Sequence, residues 1–153
     1  MHCIPFYRDL KKLGPEHERL ISKVDLFNYE KIFIPIHVNL NHWTLCEIDV
    51  LNDSLRYYDS LGGNGDKILD NILQYLQHEH KIKKKKPLNI NSFKQETVKC
   101  PQQGKGNTTD CGIFAIAMAD HLARNLTPKF SQKDMPDYRN RIAYEILTNK
   151  LFG

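Results

Sequence analysis

Apolar and polar positions change period several times along this chain, and each change marks an element. Ile32-Phe33-Ile34-Pro35-Ile36 is a short apolar run that predicts a buried strand. From His42 to Val50 the pattern alternates: Thr44, Cys46, Ile48 and Val50 fall on one face, Glu47 and Asp49 on the other. Leu51-Asn52-Asp53 supplies turn material, and strand character resumes from Ser54 to Asp59 with Leu55, Tyr57 and Tyr58. Together these segments predict a β-hairpin. Beyond Gly62-Gly63-Asn64-Gly65 the period lengthens, and Ile68, Leu69, Ile72, Leu73 and Leu76 share one helical stripe. Phe93 to Lys99 predicts another strand. The stretch from Cys111 to Arg124 is apolar on most sides and predicts a central helix. A last helix starts at Met135, with Asp134 as its N-cap, and carries Ile142, Ile146, Leu147 and Leu151. Residues 6–13 suggest a short helix interrupted by Gly14-Pro15, with helical material continuing to Ile21. No repeat, linker or second domain is visible.

The chemistry enters at the last apolar boundary. A polar loop, Pro101-Gln102-Gln103 through Asn107-Thr108-Thr109-Asp110, delivers Cys111 to the first turn of a helix that continues Gly112-Ile113-Phe114. The partial positive charge at a helix N-terminus stabilises a thiolate, which is the attacking form of cysteine. The hairpin offers a base and an acid. If the turn pairs Asp49 with Asn52, His42 faces Asp59; a register shifted by two puts Leu61 opposite instead. In either register His42 and Asp59 end at the same end of two adjacent strands, within reach of a carboxylate–imidazole hydrogen bond. Such a carboxylate fixes the ring tautomer and stabilises the imidazolium. Gln103 could offer its amide to a developing oxyanion beside the backbone N–H of Cys111.

Each piece has a bland reading. A cysteine at a helix start is often a small buried hydrophobe, a histidine opening a strand is often structural, and Asp59 before Ser60-Leu61-Gly62 could cap a turn. Of the other histidines (His2, His17, His37, His78, His80, His121), His37 competes as base; Cys100 competes as nucleophile, and Cys46 reads as packing. Trp43, the single tryptophan, is either a core aromatic or a wall over a narrow cleft.

Composition excludes more than it selects. With 153 residues, 41% apolar and 26% charged, the chain is one ordinary globular domain with a real core. No run approaches the roughly 20 apolar residues of a membrane span. Met1-His2-Cys3-Ile4-Pro5 lacks the apolar region and cleavage site of a secretory signal. Cys3, Cys46, Cys100 and Cys111 are irregularly spaced with no C-x-x-C pair, so neither a disulfide framework nor a structural zinc site is expected, and a reducing compartment is. The net charge of +4 gathers in Lys81-Ile82-Lys83-Lys84-Lys85-Lys86, readable as a localisation signal, a landing surface or a solvated loop. No aromatic residues interleave with these lysines, against nucleic-acid stacking.

At these residues the chain resembles the ubiquitin-like-protein-specific (Ulp, or sentrin/SUMO-specific) cysteine proteases. The resembling segments are Ile34-Pro35-Ile36-His37, His42-Trp43-Thr44-Leu45, Tyr57-Tyr58-Asp59-Ser60-Leu61-Gly62-Gly63, Pro101-Gln102-Gln103 and Asp110-Cys111-Gly112-Ile113-Phe114, in the family's order. Phe130-Ser131-Gln132, Met135-Pro136, Tyr138-Arg139 and Glu145-Ile146-Leu147 are similar to the SUMO-directed branch. The resemblance implies an α+β, papain-like fold of the Ulp type, with a mixed or antiparallel sheet flanked by helices. It implies that residues 1–153 are one catalytic domain lacking the N-terminal part that family domains carry. His42, Asp59 and Cys111 would be the triad, Gln103 the oxyanion donor and Trp43 one side of a tunnel for a Gly-Gly tail, with no metal or cofactor. The interval from Gln103 to Cys111 is longer than the family pattern because of Gly104-Lys105-Gly106, so Gln102 stays an alternative donor. The implied partner of a monomeric chain is a SUMO-like protein and its conjugates, neither membrane nor nucleic acid. Location leans to the nucleus, or nucleus and cytoplasm.

Three activities compete at this point. A protease that processes and deconjugates a SUMO-like modifier leads. A domain that binds a ubiquitin-like protein with weak turnover, or a protease for NEDD8 or ubiquitin, follows. Acyl transfer is third, since bacterial effector acetyltransferases reuse a similar His–acid–Cys order; the Trp after the His and the Gln-rich loop favour the protease.

Overall fold

The structure, a computed structural model, describes residues 24–152. The helical segments expected before Ile21 lie outside the described residues. Four strands form one sheet in the order β1 (Lys31–Val38), β2 (His42–Asp49), β3 (Ser54–Tyr58), β4 (Lys94–Val98). The first three are consecutive antiparallel neighbours, and β4 pairs parallel with β3. A parallel neighbour demands a crossover, which helix α1 (Asp66–Lys84) supplies. Helix α2 (Cys111–Ala123) and helix α3 (Met135–Thr148) complete the α+β architecture.

Period-two alternation sends Ile32, Ile34 and Ile36 of β1 into the same core as Cys46, Ile48, Leu55 and Tyr57. The predicted helical stripe meets them there: Leu69, Ile72 and Leu76 of α1 are buried against this face, with Ile68 and Leu73 at its margin. Each fully buried side chain of this size contributes about 1.5–3 kcal/mol. Cys46 has no exposed surface, and burial pushes its thiol far above the usual cysteine range, so it is packing.

The opposite face of the hairpin is covered as well. Leu45 and Tyr58 pack against Ala115 and Met118 of α2. Glu47 and Asp49, assigned to the non-core face by alternation, are therefore buried too. Burial is tolerable because both carboxylates have partners. Tyr58 Oη donates to Glu47 Oε2 at 2.7 Å, and Lys31 and Arg56 lie 3.5 and 3.4 Å from its oxygens. Asp49 accepts the backbone N–H and side-chain amide of Asn52 and so braces the β2–β3 turn.

The last helix departs from expectation in two ways. Asp134 occupies the N-cap position, but its carboxylate reaches back to the Ser131 N–H at 2.7 Å, closing a capping box around the turn Gln132–Asp134. Of the apolar positions assigned to this helix and its end, Ile146, Leu147 and Leu151 are exposed; Met135 is the buried anchor. Nothing among the described residues covers that stripe.

Candidate active site

His42 opens β2 directly after the turn Asn39–Asn41, where Asn39 and Leu40 take left-handed φ of 49° and 61°. That tight reversal sets the imidazole at the end of the sheet. In the β2–β3 ladder Asp49 faces Ser54 and Leu45 faces Tyr58, which is the shifted register, so direct opposition of His42 and Asp59 does not occur. The ladder stops at Tyr58, and the chain then turns, the Gly62 N–H donating to the Asp59 carbonyl at 2.9 Å. From this turn the Asp59 carboxylate reaches His42 diagonally, with Nε2 and Oδ1 2.6 Å apart.

Asp59 is 7% exposed, and its carboxylate is held on three sides. His42 and the Leu61 N–H (2.7 Å) share Oδ1, while the Gly63 N–H donates to Oδ2 at 3.1 Å. A carboxylate only accepts, so the His42 Nε2 facing it carries the proton and Nδ1 keeps its lone pair. Gly63 has no room for a side chain: a Cβ there would sit 2.4 Å from Asp59 Oδ2. Gly63→Ala should therefore displace the carboxylate and lower kcat about tenfold or more, since small misplacements of reacting groups are costly. Turnover measured beside a melting curve checks this; a wild-type kcat would show that the carboxylate tolerates the shift.

The acid-bearing loop is stitched to the glutamine loop. The Gln103 N–H donates to the Ser60 carbonyl at 2.8 Å, and Ser60 Oγ donates to Gln103 Oε1 at 2.6 Å. Gln102 Nε2 donates to the Asp59 and Cys100 carbonyls, each at 3.0 Å. The two glutamines thus face different groups. Gln103 Nε2 donates to Asn107, at 2.9 Å to Oδ1 and 3.3 Å to the carbonyl. That same Oδ1 accepts the N–H groups of Thr109 and Asp110, which lead into Cys111.

Cys111 is the first residue of α2, with Asp110 in the N-cap position accepting the Phe114 N–H on its carbonyl at 2.9 Å. It is 7% exposed. The rival thiol, Cys100, is disfavoured: burial pushes it up, and Sγ donates to the Asp59 carbonyl at 3.4 Å. The rival base, His37, stacks on Trp43 with ring centres 4.4 Å apart and planes 14° apart. Trp43 is 41% exposed, which decides against the core reading. Its Cδ1 lies 3.7 Å from where a Cβ on Gly112 would be. The neighbour of His42 therefore packs across the neighbour of Cys111, bringing the start of β2 to the first turn of α2.

One group escaped the reading of the sequence. The Asp110 carboxylate, adjacent to Cys111, accepts from Arg139 of α3, from Gln132 and from Asn107. An acid beside a candidate nucleophile was the available signal; its partners lie far along the chain.

Known proteins resemble the chain over most of its length. Residues 7–151 match the model for the Ulp1 protease family, C-terminal catalytic domain. Sentrin-specific protease 2 of Homo sapiens is 38% identical over 150 residues, covering 95% of this chain and 25% of that protein. A sentrin-specific protease of Caenorhabditis elegans is 34% identical over 150 residues, covering 97% and 21%. The C-terminal Ulp1 protease domain in complex with Smt3, the yeast ortholog of SUMO, superposes with a TM-score of 0.70 at 29% identity, covering 89% of this chain and 63% of that one. The chain thus spans 21–25% of the length of these curated relatives. By its matching residues, its sheet order and the helix that begins at Cys111, the chain belongs to the Ulp1 protease family.

Proposed function

We propose that this chain is a cysteine protease that cleaves the bond after the C-terminal Gly-Gly of a SUMO-like modifier, in a precursor or in an isopeptide to a target lysine. The observation that carries it is the 2.6 Å His42–Asp59 pair, whose tautomer leaves Nδ1 free to take a proton from a thiol. Cys111 is the nucleophile. Its thiolate attacks the glycine carbonyl, the protonated His42 gives its proton to the leaving amine, and a thioester forms. His42 then takes a proton from water, hydroxide adds to the thioester, and the free carboxyl terminus leaves as the thiolate returns. The Cys111 N–H and Gln103 are the oxyanion donors. Gln103 is preferred to Gln102 because its amide shares Asn107 with the segment entering Cys111, and its weaker contact, to the Asn107 carbonyl, is the one to exchange for substrate. Trp43, exposed and lying across Gly112, forms one wall of a slot narrow enough to select glycine.

The modifier assignment follows the relatives, which are named sentrin-specific proteases, and the solved complex with Smt3. The lysine run ends α1 and the residues after it, largely exposed, in keeping with nuclear residence; a monomer suffices for the site. The test is incubation with SUMO, NEDD8 and ubiquitin bearing C-terminal electrophiles, followed by mass spectrometry. A covalent adduct with the SUMO probe on Cys111 is the expected result. Adducts with ubiquitin or NEDD8 alone would overturn the modifier, and no adduct with any probe would leave a binding module.

A further inference from the structure

We propose that Arg139 is a positioning residue for Cys111: its guanidinium holds and neutralises the Asp110 carboxylate that directly precedes the nucleophile. This rests on the reading of Cys111 as nucleophile. Asp110 is 7% exposed and stands in the N-cap position of α2, yet its side chain makes no capping bond. Asn107 instead braces the loop before the helix, Oδ1 accepting the Thr109 and Asp110 N–H groups at 3.3 and 3.1 Å. The Asp110 carboxylate is turned instead toward the C-terminal unit. Arg139 Nε donates to Oδ1 at 2.9 Å and Nη2 donates to the same oxygen. Nη2 also reaches the Thr109 carbonyl at 2.9 Å, so one guanidinium grips both residues before the cysteine. Gln132 Nε2 and Asn107 Nδ2, both uncharged, donate to Oδ2 at 2.6 and 2.7 Å. Through its Oε1, Gln132 also accepts the Gly104 N–H at 2.9 Å. The start of α3 and the turn before it thereby clamp both ends of the loop that carries the nucleophile.

The electrostatic reason is local. Arg139, first among its donors, holds the Asp110 carboxyl below the usual range, so it is ionised wherever a thiolate would operate. An ionised neighbour opposes formation of a second negative charge. With two guanidinium N–H groups on Oδ1, the carboxylate is cancelled and keeps its geometry, while the helix N-terminus and His42 act on the thiol unopposed. The Arg139 side chain is 46% exposed, so as a mere tie between helices the pair would be worth little.

The experiment measures the rate of Cys111 alkylation by iodoacetamide against pH, resolved by peptide mass so that the other cysteines do not interfere, together with kcat and KM on a SUMO precursor. Arg139→Gln should slow alkylation at neutral pH about tenfold, move the midpoint of the profile upward and lower kcat with little change in KM. Adding Asp110→Asn to Arg139→Gln should restore much of the rate, since the unbalanced charge is gone. Arg139→Lys, which keeps the cation, should stay near the wild-type profile. A wild-type profile in Arg139→Gln, a double variant no faster than the single one, or Arg139→Lys displaced as far as Arg139→Gln would each overturn the proposal. A lowered melting temperature with no change in profile would likewise reduce Arg139 to a structural tie. If Cys111→Ala still cleaves precursor while Arg139→Gln displaces the alkylation profile, the reading of Cys111 as nucleophile fails and the charge-balancing clamp on its thiol stands.

Discussion

Cys111→Ala should remove precursor cleavage by a factor on the order of 10⁴ or more, because no other group in the mechanism can form the acyl intermediate. The fold should survive. The change deletes one sulfur from a residue already short of deep burial, at 7% exposure against none for Cys46. A cavity of that size costs about 1 kcal/mol, small beside the stability of a domain. Binding of the modifier should persist, since the slot wall, Trp43, and the His42–Asp59 pair are untouched. Single-turnover cleavage, a thermal melt and calorimetric titration of a SUMO-like protein measure these three quantities. Retained cleavage with an intact melt would transfer the nucleophile to another thiol. Cys100 is the poorer alternative, its proton committed to the Asp59 carbonyl and its thiol pushed up by burial.

Much of this site could be read before any coordinates because its parts follow from local periodicity. Alternation from His42 to Val50, a short turn and renewed alternation from Ser54 were enough to bring His42 and Asp59 to one end of a hairpin. They were not enough to select the register, since turn residues Val50 to Asp53 fit either pairing; the structure takes the pairing with Leu61 formally opposite. The contact survives because Asp59 lies beyond the ladder, where the Gly62–Gly63 turn and not strand opposition sets the carboxylate. Cys111 was legible for a similar reason, as the point where a polar loop becomes an apolar helix.

What escaped depends on tertiary packing. Alternation put Glu47 and Asp49 on the face away from Ile48, but whether that face meets water depends on α2, more than sixty residues later in the chain. β4 was expected as a strand, yet its exposed Lys94, Gln95 and Glu96 give no alternation from which a parallel partner could be deduced. Arg139 entered only as part of the resembling segment Tyr138-Arg139, with no partner legible until the fold sets it against Asp110. Residues whose partners lie within one hairpin were recoverable; residues whose partners arrive by crossover or from the C-terminal helix were not.

Asp59→Asn should lower kcat by roughly 10² to 10⁴, the range set by losing the correct imidazole tautomer. The hydrogen-bond inventory explains why an isosteric change is so severe. Oδ1 accepts from both His42 and the Leu61 N–H, and Oδ2 from the Gly63 N–H. Asparagine keeps one acceptor and gains two donors. With its oxygen toward His42 and Leu61, the new NH₂ opposes the Gly63 N–H; turned the other way, it opposes Leu61 and forces His42 Nε2 to accept a hydrogen bond on its lone pair. The second orientation moves the ring hydrogen to Nδ1, the nitrogen required to accept from the thiol. The first preserves the tautomer but removes the negative charge that stabilises the imidazolium. Either way the thiolate–imidazolium pair is disfavoured, so the loss should appear in kcat with KM little changed and should lessen as pH rises and the thiol ionises unaided. Steady-state rates across pH, beside Cys111 alkylation in the same variant, test this. A wild-type rate in Asp59→Asn would make the carboxylate a turn cap, and a rate loss independent of pH would place its action on loop geometry in place of thiol activation.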